Sequence, residues 1–265
     1  MPAHQPHSGA PLASPRLDLH DSLDSTSLHA RRLVESDAKS LDGGPLLIVA
    51  RSQTAGIGRL GRTWASPVGG LWCTLVARLD RPPHPALGVR AGLAVLAATR
   101  EALGRQADRF RLKWPNDLML DDRKFGGVLV EVVTPPRSAA DGPPGRAALI
   151  GVGLNANADP ATLPEDVRST AATLRAVGLP PIDLDALTRA VAARLAEALT
   201  VDVLTGPDLH EANRSLWGVG RDAEWAVAGG SRIRGVLQGL DDHGRAVIRD
   251  AHGRQSAVSS AEWSA

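Results

Sequence analysis

The sequence lacks several features that would assign it to a specialised class. It has one cysteine, Cys73, among 265 residues, so no intrachain disulfide can form and nothing indicates an oxidising compartment. No apolar run reaches membrane-spanning length, and the opening residues lack a signal-peptide core. The 30 basic and 29 acidic residues nearly cancel, which argues against a general nucleic-acid binder. These absences predict a cytoplasmic globular protein with no membrane or nucleic-acid partner, in which Cys73 is a core residue.

Lysine is scarce, and this scarcity makes its positions informative. The chain has 27 arginines but only three lysines, Lys39, Lys113 and Lys124, and no tyrosine at all. Two of the three lysines lie within residues 111–132. Because the composition favours arginine elsewhere, we interpret these two as positions where the chemistry requires an ammonium group.

A glycine- and arginine-rich segment follows an apolar run. Residues 46–50, LLIVA, predict a buried strand, and residues 53–64 then read QTAGIGRLGRTW. Glycines let backbone N–H groups approach a ligand, and the arginines Arg59 and Arg62 offer donors that match carboxylates and phosphates. The segment is therefore typical of a loop that closes over an anion, but also of a solvated surface loop. It is neither a Walker A loop nor a dinucleotide fingerprint.

A second segment, residues 111–132, reads RLKWPNDLMLDDRKFGGVLVEV. Pro115 to Asp117 predict a turn, and a hairpin with Asp121 and Asp122 in its loop would place Lys113 and Lys124 on neighbouring strands. The glycines at 126 and 127 leave room for a bulky ligand beside the strand. An ordinary hairpin with solvated charges is the alternative, but it does not explain why the lysines concentrate here.

Residues 24–27, Asp-Ser-Thr-Ser, precede apolar residues at helical spacing. They match the preference of helix N-caps for short polar side chains. The hydroxyls of Ser25, Thr26 and Ser27 either only cap the helix or also offer polar groups to a ligand. The local sequence favours the capping role.

The remaining pattern predicts alternating elements and a change of character near Gly218. Residues 1–16 are rich in Pro, Ser and His and predict a disordered tail. Strands are expected near 17–23, 71–79, 128–133 and 148–157, and helices near 87–103, 184–198 and 207–217. From Gly218 onward, short strands at 224–228, 232–240, 246–249 and 256–258, separated by glycine turns, suit a small β-barrel.

These motifs together resemble the biotin–protein ligases. The resemblance rests on GIGRLGRTW, on KWPND followed by KFGGVLVE, on ALIGVGLNAN at 148–157, and on Ala172-Thr173-Leu174 where that family has an additional serine. It implies an α+β fold: a mixed sheet with helices like class II aminoacyl-tRNA synthetases over 17–217, and an SH3-like barrel over 218–265. It implies an ATP-dependent ligase that forms biotinyl-5′-AMP and transfers biotin to a lysine of a biotin carboxyl carrier protein. No N-terminal DNA-binding domain is expected, and therefore no repressor activity.

The resemblance also implies residue roles. Biotin contacts are expected from Ser25, Thr26, Ser27, Gln53, Gly56, Ile57, Gly58, Arg59, Lys124 and Gly127. ATP contacts are expected from Arg62, Trp64, Lys113, Asn116 and Asn155. Catalytic charge stabilisation is expected from Lys124, Arg59 and Arg62, and Mg²⁺ binding from Asp117.

The chemistry explains why cations are needed. A biotin carboxylate and an α-phosphate repel each other by about 4 kcal/mol at a separation of about 4 Å and an effective dielectric of about 20. Positive side chains and Mg²⁺ can offset this repulsion, so that the two anions can approach each other. No general base is required, because the carboxylate is already ionised. The eight histidines show no metal-ligand spacing, so Mg²⁺ held mainly by phosphates is the expected metal.

Two positions depart from the family pattern, which usually has arginine at Ile57 and asparagine at Ser27. Ile57 removes a cation and adds a β-branched side chain that resists positive φ, so we expect biotin or its adenylate to be held less tightly. A lipoate or octanoate ligase and a non-catalytic biotin-binding paralogue therefore stay open as alternatives. The sequence is compatible with a homodimer as well as with a monomer.

Overall fold

The computed structural model describes residues 14–36, 41–136, 145–200, 203–204, 206–227, 231–259 and 261–264. Most of the predicted N-terminal tail, residues 1–13, lies outside these ranges, and the first strand begins at Arg16. No helix in the described part of the chain has both the length and the apolar character needed to cross a bilayer.

The first seven strands form one mixed sheet. They are β1 (Arg16–Leu23), β2 (Leu46–Gln53), β3 (Leu71–Leu79), β4 (Phe110–Lys113), β5 (Asp117–Leu120), β6 (Arg123–Val133) and β7 (Arg146–Leu154). Their order is β1-β2-β3-β7-β6-β5-β4. The β1–β2 pair is parallel and the others are antiparallel. The predicted α+β class is confirmed.

Helices cover both faces of this sheet. They are α1 (Thr26–Ser36), α2 (Leu87–Leu103), α3 (Glu165–Arg168), α4 (Leu184–Ala198) and α5 (Gly206–Ser215). Alternate residues of β2 and β3 point to opposite faces: Leu47 and Leu75 pack with α2 and α4, whereas Ile48 and Val76 pack with α1. Both faces are therefore apolar, which explains why β2 and β3 read as nearly continuous apolar runs.

The helix boundaries follow local signals in the sequence. Helix α2 spans the predicted residues and ends at Gly104, which has φ 55°, a conformation that glycine adopts at little cost. Asp183 caps α4 by accepting from the backbone N–H groups of Asp185 and Ala186 at 2.9 and 3.0 Å.

The hairpin prediction for residues 111–132 is wrong in one respect. Lys113 ends β4 and Lys124 lies on β6, so β5 separates them. The chain reverses twice, once at residues 114–116 and again at Asp121–Asp122, because both segments favour turns. The two lysines nevertheless line the same cavity.

The last five strands form a second sheet. They are β8 (Asp222–Val227), β9 (Arg232–Leu240), β10 (Ala246–Arg249), β11 (Gln255–Val258) and β12 (Ala261–Ser264), in the antiparallel order β11-β10-β9-β8-β12. The last strand was not expected from the sequence. The sheet packs on the rest of the molecule through Trp114, whose indole N–H donates to the Gly244 carbonyl at 2.9 Å and whose ring meets Trp225 edge-on at 6.2 Å. The predicted barrel shape stays a prediction.

Candidate active site

A cavity of about 470 Å³ opens where α1, the 53–64 segment and strands β5, β6 and β7 meet. Nearly all the residues singled out from the sequence line it: Ser25, Thr26, Ser27, Gln53, Ile57, Gly58, Arg59, Arg62, Trp64, Lys113, Asn116, Asp117, Lys124, Gly127 and Asn155. They come from separate parts of the chain, so the sheet topology alone brings them together. The ligand roles of these residues stay predictions.

Gly56 is the exception, because it lies outside the cavity lining. A Cβ at this position would be 2.4 Å from the Trp64 carbonyl oxygen and 2.8 Å from the Ser66 hydroxyl. Gly56 is therefore buried where two backbone segments approach each other, and its small size serves this packing.

The glycine- and arginine-rich segment is a short ordered hairpin. The Gly58 N–H donates to the Arg62 carbonyl at 2.7 Å, and the Trp64 N–H donates to the Gly56 carbonyl at 2.8 Å. Leu60 and Gly61 make the turn with φ of 57° and 72°. Ile57 pairs with Thr63 as an antiparallel bridge and is not among the residues with positive φ. The expected conflict between Ile57 and a positive φ is therefore wrong; the exposed Leu60 takes that conformation instead.

The cations of the cavity are held by polar partners on the β4–β5–β6 hairpins. Lys124 Nζ lies 2.7 Å from Asp117 Oδ1 and 5.0 Å from the centre of the Trp64 ring. Arg59 donates to the Asn116 side-chain oxygen at 3.0 Å, and Asn116 in turn donates to the Val128 carbonyl. These contacts orient two positive groups towards one space before any ligand binds.

Lys113 is a half-buried cation of the cavity lining. Burial lowers the pKa of its ammonium group from the usual value; Asp117 opposes this shift and Lys124 adds to it. The ammonium lies 5.1 Å from the centre of the Trp217 ring, which also stacks on Arg221 at 4.5 Å. Trp217 therefore links this lysine to the segment that leads into the second sheet.

A chain of hydroxyl and amide groups extends inward from the start of α1. Ser27 and Thr74 share a hydrogen bond of 3.1 Å, Thr74 donates to Thr26, and the Thr26 backbone N–H donates to Gln53 Oε1 at 2.7 Å. The Gln53 amide continues the chain to Ser66 at 2.6 Å. Ser25 caps α1 weakly, with the Leu28 N–H at 3.4 Å from its hydroxyl. Ser25 therefore both caps α1 and lines the cavity.

Thr74 and the segment 163–171 were missed by sequence reasoning. Thr74 is fully buried and is the only hydroxyl residue of strand β3, so a polar residue inside an apolar run was the available signal. The 163–171 segment forms a cavity wall and pairs with β6: the Lys124 N–H donates to the Thr170 carbonyl, and the Ala172 N–H donates to the Lys124 carbonyl, both at 2.8 Å. Lys124 is thus held by backbone pairing on two sides.

The glycines of β7 shape the cavity floor. A Cβ at Gly153 would lie 2.7 Å from the Trp64 indole nitrogen, and one at Gly151 would lie 2.6 Å from the Ser27 hydroxyl. The Trp64 N–H is buried and has no hydrogen-bond acceptor among the described residues. The two glycines therefore leave the space that the Trp64 indole and the Ser27 hydroxyl occupy.

The arrangement can hold two anions side by side. Lys124, Lys113, Arg59 and Arg62 line one part of the cavity, while uncharged polar groups from α1 and β2 line another. A carboxylate and a phosphate that meet among these cations lose the repulsion that separates them in water. Fold and cavity together define a class: an α+β protein with a preformed site for joining anionic groups.

Comparison with known proteins places the chain in a family. The sequence profile of the biotin/lipoate A/B protein ligase family matches residues 22–155. The biotin–[acetyl-CoA-carboxylase] ligase of Paracoccus denitrificans is 33% identical over 242 residues, which cover 88% of this chain and 93% of that protein. The chain belongs to the biotin/lipoate A/B protein ligase family.

Two further comparisons mark the extent of the similarity. The bifunctional ligase/repressor BirA of Bacillus subtilis is 36% identical over 158 residues, which cover 58% of this chain but only 45% of the relative. The chain thus matches less than half the length of that relative. The biotin protein ligase of Aquifex aeolicus, solved in complex with biotin and ATP, has a TM-score of 0.71 and 26% identity, covering 94% of this chain and 97% of that one.

Proposed function

We propose that the protein is an ATP-dependent biotin–protein ligase. It would activate biotin as biotinyl-5′-AMP and then transfer the biotinyl group to a lysine of a biotin carboxyl carrier protein. The observation that carries this proposal is a cavity that joins a polar pocket at the start of α1 to the cations of the 53–64 segment and β6. The Paracoccus and Aquifex relatives support it through the activity and ligands in their names.

In the first step, a biotin carboxylate oxygen attacks the α-phosphorus of ATP, and the bond to the pyrophosphate oxygen breaks. Lys124 and Arg59 bridge the two anions, and Arg62 stabilises the charge that develops on the phosphate. Lys124 already pairs with Asp117, so the approach of the substrates competes with that carboxylate for the ammonium. In the second step, the amine of the carrier lysine attacks the acyl carbon and AMP leaves.

The polar pocket at α1 holds the ureido head of biotin in this proposal. Ser25, Thr26, Ser27 and Gln53 supply donors and acceptors that match a urea group, and Gly127 leaves space beside β6, where its Cβ would have no neighbour closer than 3.7 Å. Ile57 and Gly58 cover the bound acyl chain. Trp64, Lys113, Asn116 and Asn155 hold the nucleotide.

Asp117 fits a magnesium site held mainly by substrate phosphates. Its carboxylate lines the cavity and is the acidic side chain nearest to Lys124, and Mg²⁺ commonly uses one or two carboxylates together with phosphates. When bound, the ion neutralises phosphate charge.

A lipoate or octanoate ligase is the enzymatic alternative, since the family description includes lipoate. Its substrates carry no urea, so the polar groups of Thr26 and Ser27 at the cavity would keep their hydrogen bonds to Gln53 and Thr74 but gain none from the substrate. This difference favours biotin. A non-catalytic biotin-binding paralogue is the second alternative, motivated by Ile57.

One assay separates the three possibilities. Purified protein is incubated with ATP and radiolabelled pyrophosphate, and exchange of label into ATP is measured with biotin, lipoate or octanoate. We expect exchange only with biotin, followed by avidin-detectable transfer to an apo carrier domain. Exchange with lipoate or octanoate instead would identify the alternative ligase, and no exchange despite biotin binding would identify the paralogue.

The finer architecture is part of the same proposal. We infer a catalytic domain like class II aminoacyl-tRNA synthetases over 17–217 and an SH3-like domain over 218–265. The end of α5 at Ser215 and the start of β8 at Asp222 support a boundary near Gly218. A cytoplasmic location and a homodimer stay predictions.

A further inference from the structure

A second cluster of metal-ligand side chains lies away from the cavity, at the edge of the first sheet. Asp18 and His20 are two residues apart on β1, so they share one face of the strand, and His29 comes from the first turns of α1. One ligand atom from each residue lies within 4.8 Å of the other two. None of the three lines the cavity.

The separations of the ligand atoms suit a tetrahedral ion. His20 Nε2 lies 3.0 Å from Asp18 Oδ1, and His29 Nε2 lies 3.7 Å from Asp18 Oδ2. Ligands about 2.0–2.2 Å from a tetrahedral zinc ion stand about 3.3–3.6 Å from one another. The observed distances lie on either side of this range, so small side-chain movements would complete the site.

The His20 ring nitrogen lacks a hydrogen bond. Nε2 is buried and has no aligned partner among the described residues, although Asp18 Oδ1 is only 3.0 Å away. Two ligand atoms that lie close together without hydrogen-bond alignment are in positions from which both can bind one cation.

The pattern of β1 is inverted relative to an ordinary amphipathic strand. Asp18 and His20 are on the half-buried side, near α1, whereas Leu17 and Leu19 on the other side are 53% and 69% exposed. A strand normally turns its apolar residues inward. Half-buried polar residues at these positions therefore need a binding partner that offsets the free-energy cost of removing them from water. A bound cation would supply it.

We propose that Asp18, His20 and His29 bind Zn²⁺, with water as the fourth ligand. Two imidazoles and one carboxylate suit zinc better than Mg²⁺ or Ca²⁺, which prefer sites made only of oxygen. The ion would cross-link the edge strand β1 to α1. The first turn of α1 also contributes Thr26 and Ser27 to the cavity lining. The site is independent of the proposed ligase activity.

The test measures zinc binding to tag-free, full-length protein. Zinc affinity is determined by competition with a chromophoric chelator, and Co²⁺ is added separately to record the visible absorption of a tetrahedral site. The variant His20→Ala/His29→Ala removes two ligands, and Asp18→Asn replaces the third with little change of shape. The matched control, His210→Ala/His252→Ala, removes two exposed histidines elsewhere and keeps the histidines of the N-terminal region.

We expect the wild type and the control to bind one zinc ion and to melt at a higher temperature with zinc than with EDTA. Both cluster variants should lose at least about tenfold in affinity, together with the Co²⁺ band and the thermal shift. Circular dichroism in EDTA checks that the variants are folded. If the double variant does not fold, Asp18→Asn still provides the test. Equal zinc affinity in a folded cluster variant and the wild type, or no stoichiometric binding by the wild type, would overturn the proposal.

Discussion

At the scale of single residues, the cavity depends on a few cations whose positions are set by neighbouring carboxylate, amide and indole groups. Lys124 contacts Asp117 and Trp64, and Arg59 contacts Asn116. Each of these side chains is thereby ordered before a ligand arrives, which lowers the entropy lost on binding.

Replacing Lys124 tests the role of these cations in the proposed adenylation. Lys124→Ala removes the ammonium and also leaves the Asp117 carboxylate unpaired in a cavity that must accept two anions. We expect biotin-dependent ATP–pyrophosphate exchange to slow by about 10²-fold or more. The neighbouring Arg123→Ala, which does not line the cavity, is the control. An exchange rate close to that of the wild type in Lys124→Ala would contradict the role.

Ile57 offers the opposite test, a gain of function. Its backbone is extended, so Ile57→Arg introduces a cation into the cavity lining without a positive φ. We expect biotinyl-adenylate to dissociate about tenfold more slowly, because a new hydrogen bond to a charged group is formed. Single-turnover release of labelled adenylate measures the rate, with Ile57→Leu as an apolar control. Equal rates in all three proteins would show that position 57 does not limit retention.

At the scale of elements, helices α2 and α5 are joined by a half-buried charge cluster. Arg100 of α2 donates to Glu211 of α5, to Ser215 and to the Phe110 carbonyl at 2.7–2.9 Å. Burial raises the pKa of Glu211, but hydrogen bonds from Arg214, Ser215 and Arg100 outweigh it and lower the pKa to about 2. The cluster therefore holds Glu211 ionised in the folded state.

This shift predicts an acid-dependent contribution to stability. The pKa of Glu211 is 4.5 in an unfolded chain and about 2 in the fold, so its stabilisation is complete above pH 4.5 and is lost as the pH falls towards 2. Urea denaturation should show that Glu211→Gln is less stable than the wild type at pH 6 and that the difference shrinks on acidification. The exposed Glu101→Gln is the control. A difference that does not change with pH would contradict the shift.

At the scale of the whole molecule, the second sheet is coupled to the cavity through Trp217. The Trp217 ring makes cation–π contacts with Lys113 and Arg221. Its indole N–H donates to Asp122, and its backbone N–H donates to the Leu112 carbonyl at 2.8 Å. A substitution near the start of the second sheet can therefore affect Lys113, a residue of the proposed nucleotide site.

Trp217→Leu tests this coupling. Loss of the ring under the Lys113 ammonium should raise the KM for ATP about two- to fivefold and leave the KM for biotin unchanged. Steady-state kinetics with each substrate varied in turn separate the two constants, and melting temperatures check that the variant is folded. Arg221→Ala, which keeps the Lys113–Trp217 contact, should not alter the KM for ATP. Equal changes in both constants would indicate general loosening instead.

Local sequence patterns were enough to identify the family, the α+β class and most boundaries of the helices and strands. Apolar runs, helix caps and glycine turns depend on residues close in the chain, so they can be recognised without a structure. The scarcity of lysine also pointed to Lys113 and Lys124, because a biased composition makes each exception informative.

Contacts between residues that are distant in the chain became visible only in the fold. Strand β5 separates the two lysines, Thr74 joins the hydroxyl chain, Gly56 serves packing, and His29 lies beside Asp18 and His20, none of which follows from local spacing. The physical reason is that these contacts are set by strand order and helix packing, which depend on burying the apolar surface of the whole chain at once.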